Sequence, residues 1–122
     1  MTLKECYASL NGDYDEVMGR LRSERLVQKF VLKFLADGSY ELLCASLEAG
    51  DREEAFRAAH TIKGVCANLG FTSLLDSSEK LTEALRDGKP AQPGEDELIT
   101  RVKADYARTC QAIKTFQEGA GG

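Results

Sequence analysis

The only histidine of the chain, His60, stands three residues before Lys63 and four before Gly64. Imidazole is a nucleophile, and its neutral form is available near pH 7. On a helix, residues three and four apart are neighbours, so the lysine and the glycine would share the face of the histidine. This spacing predicts a nucleophile with a cation beside it that can offset developing negative charge.

The residues around His60 are unusual for a helix surface that faces water. Phe56 stands one turn before it, and Gly64 and Ala67 follow one and two turns later. A solvated face normally carries long charged side chains, and glycine inside a helix costs about 1 kcal/mol relative to alanine. A bare face of this kind lets another molecule approach the backbone and the imidazole closely. A nucleophile, a cation and a flat apolar landing area are what phosphoryl transfer between proteins requires.

Two simpler interpretations of His60 compete with this one. An isolated histidine is usually an incidental residue. Here Phe56, Gly64 and Ala67 also differ from the charged residues expected on a solvated helix face, which favours a functional face, because such inconsistencies tend to mark sites. A metal site is not supported, since His60 has no carboxylate three or four residues later to complete a ligand set.

The elements that position these residues are predicted to be helices, because apolar residues recur every three or four positions and no stretch alternates as a strand does. Glycines mark helix ends, and the pairs Asp13–Glu16, Asp51–Glu54 and Ser73–Asp76 mark starts. The predicted helices span 2–10, 13–22, 23–37, 39–49, 51–69, 72–87 and 95–117. With residues 23–49 as one broken helix, the short loops predict an all-α, antiparallel up-down four-helix bundle with short additional N-terminal helices.

A helical wheel for residues 51–69 separates a buried face from the face of His60. The residues predicted to form the apolar arc are Ala58, Ile62, Val65, Cys66 and Leu69. His60 falls opposite the centre of this arc. A reactive-thiol role for Cys66 is therefore not expected. On an earlier helix, Phe30, Lys29 and Lys33 could extend the exposed surface beside His60. Helical spacing equally predicts a core position for Phe30 and solvated charges for the two lysines, and we favour this simpler interpretation.

The composition limits the classes of function. A length of 122 residues predicts one domain, 1–117, followed by a flexible Gly-rich tail, 118–122. The net charge of −4 argues against nucleic-acid binding, which needs clustered Lys and Arg. No apolar run approaches the roughly 20 residues of a membrane span, and the first residues lack an apolar signal core, which predicts no membrane association and a cytoplasmic location. The four cysteines form no C-x-x-C pair and are expected to be buried thiols.

The segment AAHTIKGVCANLG, residues 58–70, closely resembles the signature of histidine-containing phosphotransfer (HPt) domains. The shared features are the histidine, the lysine and glycine three and four residues later, and the closing Leu-Gly. Resemblance extends to LEAGD at 47–51 and to Leu81, and covers roughly residues 23–117 in architecture. It implies that His60 accepts a phosphoryl group from the aspartyl phosphate of a response-regulator receiver domain and relays it to another receiver.

The resemblance also implies roles for neighbouring residues. Lys63 would lie beside the phosphate and offset its charge, and Gly64 would avoid a clash with the docking receiver. Many family members carry Gln or Glu on the next helix, where it hydrogen-bonds the other ring nitrogen. This sequence has Thr82 there, which can accept that bond but reaches less far. The adjacent Glu83 is expected to point elsewhere.

The implied partners are receiver domains, a hybrid sensor histidine kinase, or both, with this chain a monomer. No bound cofactor is expected, and Mg²⁺ would belong to the receiver. The chain has neither a phosphate-binding loop nor a kinase glycine loop, so a carrier is predicted rather than a kinase. One alternative is a binding-only bundle that sequesters a receiver through Phe56, Gly64 and Ala67. Another, a hydrolase with His60 as general base, lacks a paired nucleophile.

Overall fold

The computed structural model describes residues 1–120, which form helices joined by turns and loops, and no strand occurs in this range. This confirms the predicted all-α class. A single 3-10 turn, Arg86–Gly88, follows the sixth helix. The helices are α1 (Leu3–Ser9), α2 (Tyr14–Leu21), α3 (Glu24–Phe34), α4 (Ser39–Ala49), α5 (Arg52–Leu69), α6 (Thr72–Leu85) and α7 (Glu95–Ala120).

Side-chain caps start four of the helices. Thr2, Asp13, Ser23 and Asp51 each accept a hydrogen bond from the backbone N–H three residues later, which satisfies one of the free donors at a helix start. The predicted start of α6 at residue 72 is confirmed, but the predicted cap at Ser73 is wrong. Helix α6 begins at Thr72, and the Ser73 hydroxyl instead accepts a hydrogen bond from Asn11.

Helices α4 to α7 form the bundle. Helix α5 packs along both α4 and α6, and α6 packs along α7. Tight turns at Gly50 and Gly70, with left-handed φ of 74° and 71°, reverse the chain at each end of α5 and make its neighbours antiparallel. The segment 23–49 is not one broken helix, because α3 ends at Phe34 and four turn residues precede α4.

The N-terminal helices are joined to the bundle by a continuous row of aromatic rings. Neighbouring rings in this row have centroids between 3.8 and 5.9 Å apart, the spacing typical of stacked and edge-to-face pairs. The row runs from α2 through α1, the start of α6, α3 and α7 to α4, as Tyr14, Tyr7, Phe71, Phe34, Tyr106 and Tyr40. Helices α1 and α2 therefore share the core of the bundle.

The ends of α6 and α7 also differ from the sequence-based expectation. Helix α6 stops at Leu85 rather than residue 87, because the backbone of Arg86 is already extended, with a ψ of 139°, and that of Asp87 is left-handed, with a φ of 57°. Helix α7 continues to Ala120, so the boundary predicted at residue 117 falls inside a helix. Helix α7 packs on α1, where the Cys6 thiol donates to the Ala112 carbonyl oxygen, and the added turn lies beside the start of the chain, since a Cβ built at Gly119 would lie 3.1 Å from the Met1 nitrogen. Residues 121 and 122 of the predicted tail lie outside the described residues.

Candidate functional site

Helix α5 carries the candidate site and presents one buried and one exposed face. Its buried residues are Ala55, Ala58, Ala59, Ile62, Cys66 and Leu69. Four of the five residues predicted for the apolar arc are thus buried, while Val65 is half-buried. His60 is exposed, as its place on the wheel predicts. Burial raises the pKa of the Cys66 thiol well above its usual range, which makes that thiol a poor nucleophile.

The exposed face of α5 brings together the residues that the spacing groups around His60. Gly64 and Ala67 are exposed with it, and Phe56 and Lys63 are half-buried at its edges. The rings of Phe56 and His60 lie nearly parallel, with an interplanar angle of 18° and centroids 6.0 Å apart. The imidazole therefore projects from the helix between the Phe56 ring and the bare positions at Gly64 and Ala67.

Helix α6 contributes charged groups that the sequence did not assign to the site. Arg86 donates hydrogen bonds of 2.8 and 3.1 Å to the Glu83 carboxylate, and its guanidinium lies 5.2 Å from the centroid of the Phe56 ring. The pKa of Glu83 is lowered, first by the hydrogen bonds from Arg86 and further by the positive charges of Lys63 and Lys89. Glu83 is therefore linked to the Phe56 ring through Arg86.

Packing within residues 1–120 does not require a glycine at position 64. A Cβ built there meets no atom of this range within 4 Å, and the backbone is ordinary right-handed helix. Gly12 shows the opposite situation, because a Cβ there would lie 2.7 Å from the carbonyl oxygen of Gly70. The missing side chain at Gly64 thus leaves open space directly beside His60, on the outside of the molecule.

The expected partner of the imidazole on α6, Thr82, does not serve that role. Thr82 is completely buried, and its hydroxyl donates a 2.6 Å hydrogen bond to the carbonyl oxygen of Ser78. The helix turns this side chain into the core between α6 and its neighbours, whereas His60 faces solvent. Assigning Thr82 to orient His60 is therefore wrong, and helical position alone could not show which way the residue points.

A groove lies beside the exposed face of α5, where the sequence left an extension of the surface by Phe30 and Lys33 as the less favoured interpretation. It has a volume of about 380 Å³ and is lined by Phe30 and Lys33 from α3 and by Val65 and Asn68 from α5, among others. Phe30 is 37% exposed, so its predicted place in the core is wrong. The exposed part of the Phe30 ring belongs to the apolar lining of the groove.

Arg20 of α2 lines this groove and binds the C-terminal end of α5. Its guanidinium donates to the backbone carbonyl oxygens of Ala67 and Asn68, at 3.3 and 2.7 Å, and pairs with Glu16 at 2.9 Å. A cation at a helix C-terminus satisfies free carbonyls and complements the helix dipole. Sequence analysis missed this residue because its partners lie 47 and 48 positions away.

Two kinds of feature do not occur in residues 1–120. No group of three or more His, Cys, Asp or Glu side chains in this range is arranged to hold a metal ion. No helix in the same part of the chain is long and apolar enough to cross a membrane.

Comparison with known proteins identifies the family. The model of the Hpt domain family matches residues 30–112, which is more than half of the chain, and the chain belongs to this family. Hpt domains are phosphocarriers in phosphorelays, where they interact with receiver domains and histidine kinases. Searches of curated proteins and of solved structures gave no significant match. Helices α1 and α2 precede the matched residues.

Proposed function

We propose that this chain is a phosphorelay intermediate in which His60 carries the phosphoryl group. It would accept the group from the aspartyl phosphate of one receiver domain and pass it to a second receiver. The observation that carries this proposal is the open space at Gly64 beside the exposed imidazole, a space for which internal packing offers no reason. A glycine that lowers the stability of a helix without being needed for internal packing is expected where another molecule docks.

The chemistry needs only one nucleophilic nitrogen on this chain. The lone pair of a neutral imidazole nitrogen attacks phosphorus, the bond between phosphorus and the aspartyl oxygen breaks, and the carboxylate leaves as an anion. Transfer to the second receiver reverses these bond changes on a new aspartate. Lys63, one turn along the same face, would offset the negative charge of the bound phosphoryl group. The Mg²⁺ ion of the reaction would be held by the acidic pocket of the receiver.

Docking would use the flat part of the same face. Gly64 and Ala67 permit close approach of the receiver, with Phe56 at one edge. The groove beside Val65 and Phe30 extends this surface with an apolar depression of about 380 Å³. Such a surface excludes water around the transferred group, which strengthens the interaction of Lys63 with it.

The decisive experiment compares the wild type with His60→Gln. Each protein is incubated with receiver domains that have been phosphorylated on aspartate in Mg²⁺, and the products are measured by intact mass. We expect one added phosphate on the wild type only, labile in acid and stable in base. Unchanged helicity of His60→Gln by circular dichroism is the control for folding.

Two outcomes would contradict the carrier role. Labelling of His60→Gln would place the phosphate elsewhere. Binding of several receivers without any transfer to the wild type would favour the binding-only bundle, in which His60 is dispensable.

A further inference from the structure

The His60 imidazole lies against an aromatic ring rather than a hydrogen-bonding side chain. The hydrogen bonds around it, over residues 1–120, join Thr61 to Arg57 and Arg86 to Glu83 and leave the imidazole nitrogens without a partner. Thr82, the expected orienting residue, is buried and already bonded to Ser78. An exposed side chain with no fixed contact exchanges rotamers within nanoseconds, so some other contact must hold the ring if its direction matters.

Phe56 supplies such a contact, because it is itself held in place. Its ring is half-buried and lies nearly parallel to the imidazole, with centroids 6.0 Å apart. The guanidinium of Arg86 lies 5.2 Å from the centroid of this ring, within the range of a cation–π interaction. Arg86 is in turn fixed by two hydrogen bonds to Glu83. A series of contacts thus connects Arg86, in the turn after α6, through the Phe56 ring to the imidazole of His60 on α5.

We propose that Phe56 is a positioning residue for His60: its ring, held by Arg86, limits the orientations of the imidazole and directs one nitrogen outward to the phosphoryl donor. This inference rests on the proposed phosphotransfer by His60. In-line attack on phosphorus requires the nitrogen lone pair to be aligned with the bond that breaks, so a ring held near that alignment reacts faster. The contact restricts the reacting group and leaves its chemistry unchanged.

The single histidine makes the orientation directly measurable. The chain has one imidazole, so its ring proton resonances need no assignment by mutation. We compare the wild type with Phe56→Leu, which keeps an apolar side chain but removes the ring, and with Phe56→Tyr, which keeps the ring. Loss of the ring current should move the imidazole resonances of Phe56→Leu toward those of free histidine and leave those of Phe56→Tyr near the wild type.

A small phosphodonor separates the positioning of His60 from the docking of a receiver. With phosphoramidate, the imidazole nitrogen attacks phosphorus, the phosphorus–nitrogen bond of the donor breaks, and ammonia leaves. We expect Phe56→Leu to be phosphorylated about threefold to tenfold more slowly than the wild type, and Phe56→Tyr to recover most of the rate. Arg86→Gln should show a smaller loss in the same direction. Arg25→Gln is the matched control, because Arg25 is an exposed arginine of α3 that is not among the contacts connecting Arg86, Phe56 and His60.

Each outcome decides between positioning and other roles. Identical imidazole resonances in wild type, Phe56→Leu and Arg86→Gln would overturn the proposal, and so would an equal loss of rate in Phe56→Leu and Phe56→Tyr. Thermal unfolding of each variant shows whether a loss comes from misfolding. If Phe56→Leu misfolds, the resonances and the rate of Arg86→Gln decide the question. If no receiver labels His60 while the resonances and phosphoramidate rates depend on Phe56, the relay role fails and the positioning of the ring stands.

Discussion

The Tyr7 hydroxyl donates a 2.6 Å hydrogen bond to the backbone carbonyl oxygen of Leu69, the last residue of α5. Arg20 binds the carbonyl oxygens of Ala67 and Asn68 in the same turn. The final carbonyls of a helix have no partner within it and must find one elsewhere. Helices α1 and α2, which precede the residues matched to the family, therefore fix the end of the helix that carries His60.

Removing the Tyr7 hydroxyl should destabilise the protein. Tyr7 is buried, so Tyr7→Phe leaves the Leu69 carbonyl oxygen without its partner, and we expect the free energy of unfolding to fall by about 1–2 kcal/mol. Urea denaturation of the full chain measures this change. Tyr14→Phe is the matched control, because the Tyr14 ring is only half-buried. Equal effects of the two substitutions would show that the hydrogen bond to Leu69 contributes nothing specific.

Adding one methyl group at Gly64 should stabilise the isolated protein. Its Cβ would enter open space on a regular helix, so Gly64→Ala is expected to raise the free energy of unfolding by about 0.5–1 kcal/mol. The same substitution at Gly12 should lower it, since the new Cβ would lie 2.7 Å from a backbone oxygen. Denaturant titration of both variants gives the two signs. A destabilising Gly64→Ala would mean that the fold itself requires this glycine.

A large side chain at Gly64 should impair the interaction with receivers while the protein stays folded. Gly64→Leu places its bulk beside His60 on the exposed face, where we expect docking. The rate of labelling by a phosphorylated receiver should fall, whereas the rate with phosphoramidate, which needs no docking, should fall much less. Equal losses with both donors would show that the substitution disturbs His60 itself.

The stability of the fold should depend on pH through Glu95. Arg52 donates hydrogen bonds of 2.8 Å to both carboxylate oxygens of Glu95, and these bonds are the main reason why its pKa is lowered from 4.5. A carboxyl group with a depressed folded-state pKa contributes stability above its unfolded pKa and loses it as the pH falls through the folded value. Wild type should therefore exceed Glu95→Gln in stability at pH 7, and the gap should close below pH 4.5. A gap that stays constant down to about pH 2 would contradict this assignment.

Phosphotransfer should not need the Thr82 hydroxyl. Thr82 donates to a carbonyl oxygen of its own helix, so Thr82→Val keeps the side-chain shape and removes a hydrogen bond that does not involve His60. We expect an unchanged rate of labelling by a phosphorylated receiver and a stability within about 1 kcal/mol of the wild type. A large fall in the labelling rate, with the fold intact, would show that Thr82 does contribute to phosphotransfer.

The sequence is sufficient to predict what depends on a single helix. Burial along α5 follows the period of 3.6 residues, so the wheel separates Ala58, Ile62, Cys66 and Leu69 from His60 without any knowledge of the partners of the helix. The caps at Asp13 and Asp51 and the glycine that ends α5 are also local, because each involves atoms within a few residues. These local rules, together with the resemblance of residues 58–70, locate the candidate site.

Only the tertiary structure decides which side chains of different helices meet. Thr82 and Glu83 are adjacent in sequence, yet the first is buried and the second is exposed and bonded to Arg86, because the packing of α6 against its neighbours sets which residue is covered. Phe30 lines an open groove because no neighbouring helix covers it, and Arg86 reaches Phe56 across 30 positions. Such contacts depend on how distant segments pack against each other, and the periodicity of a single helix does not determine that packing.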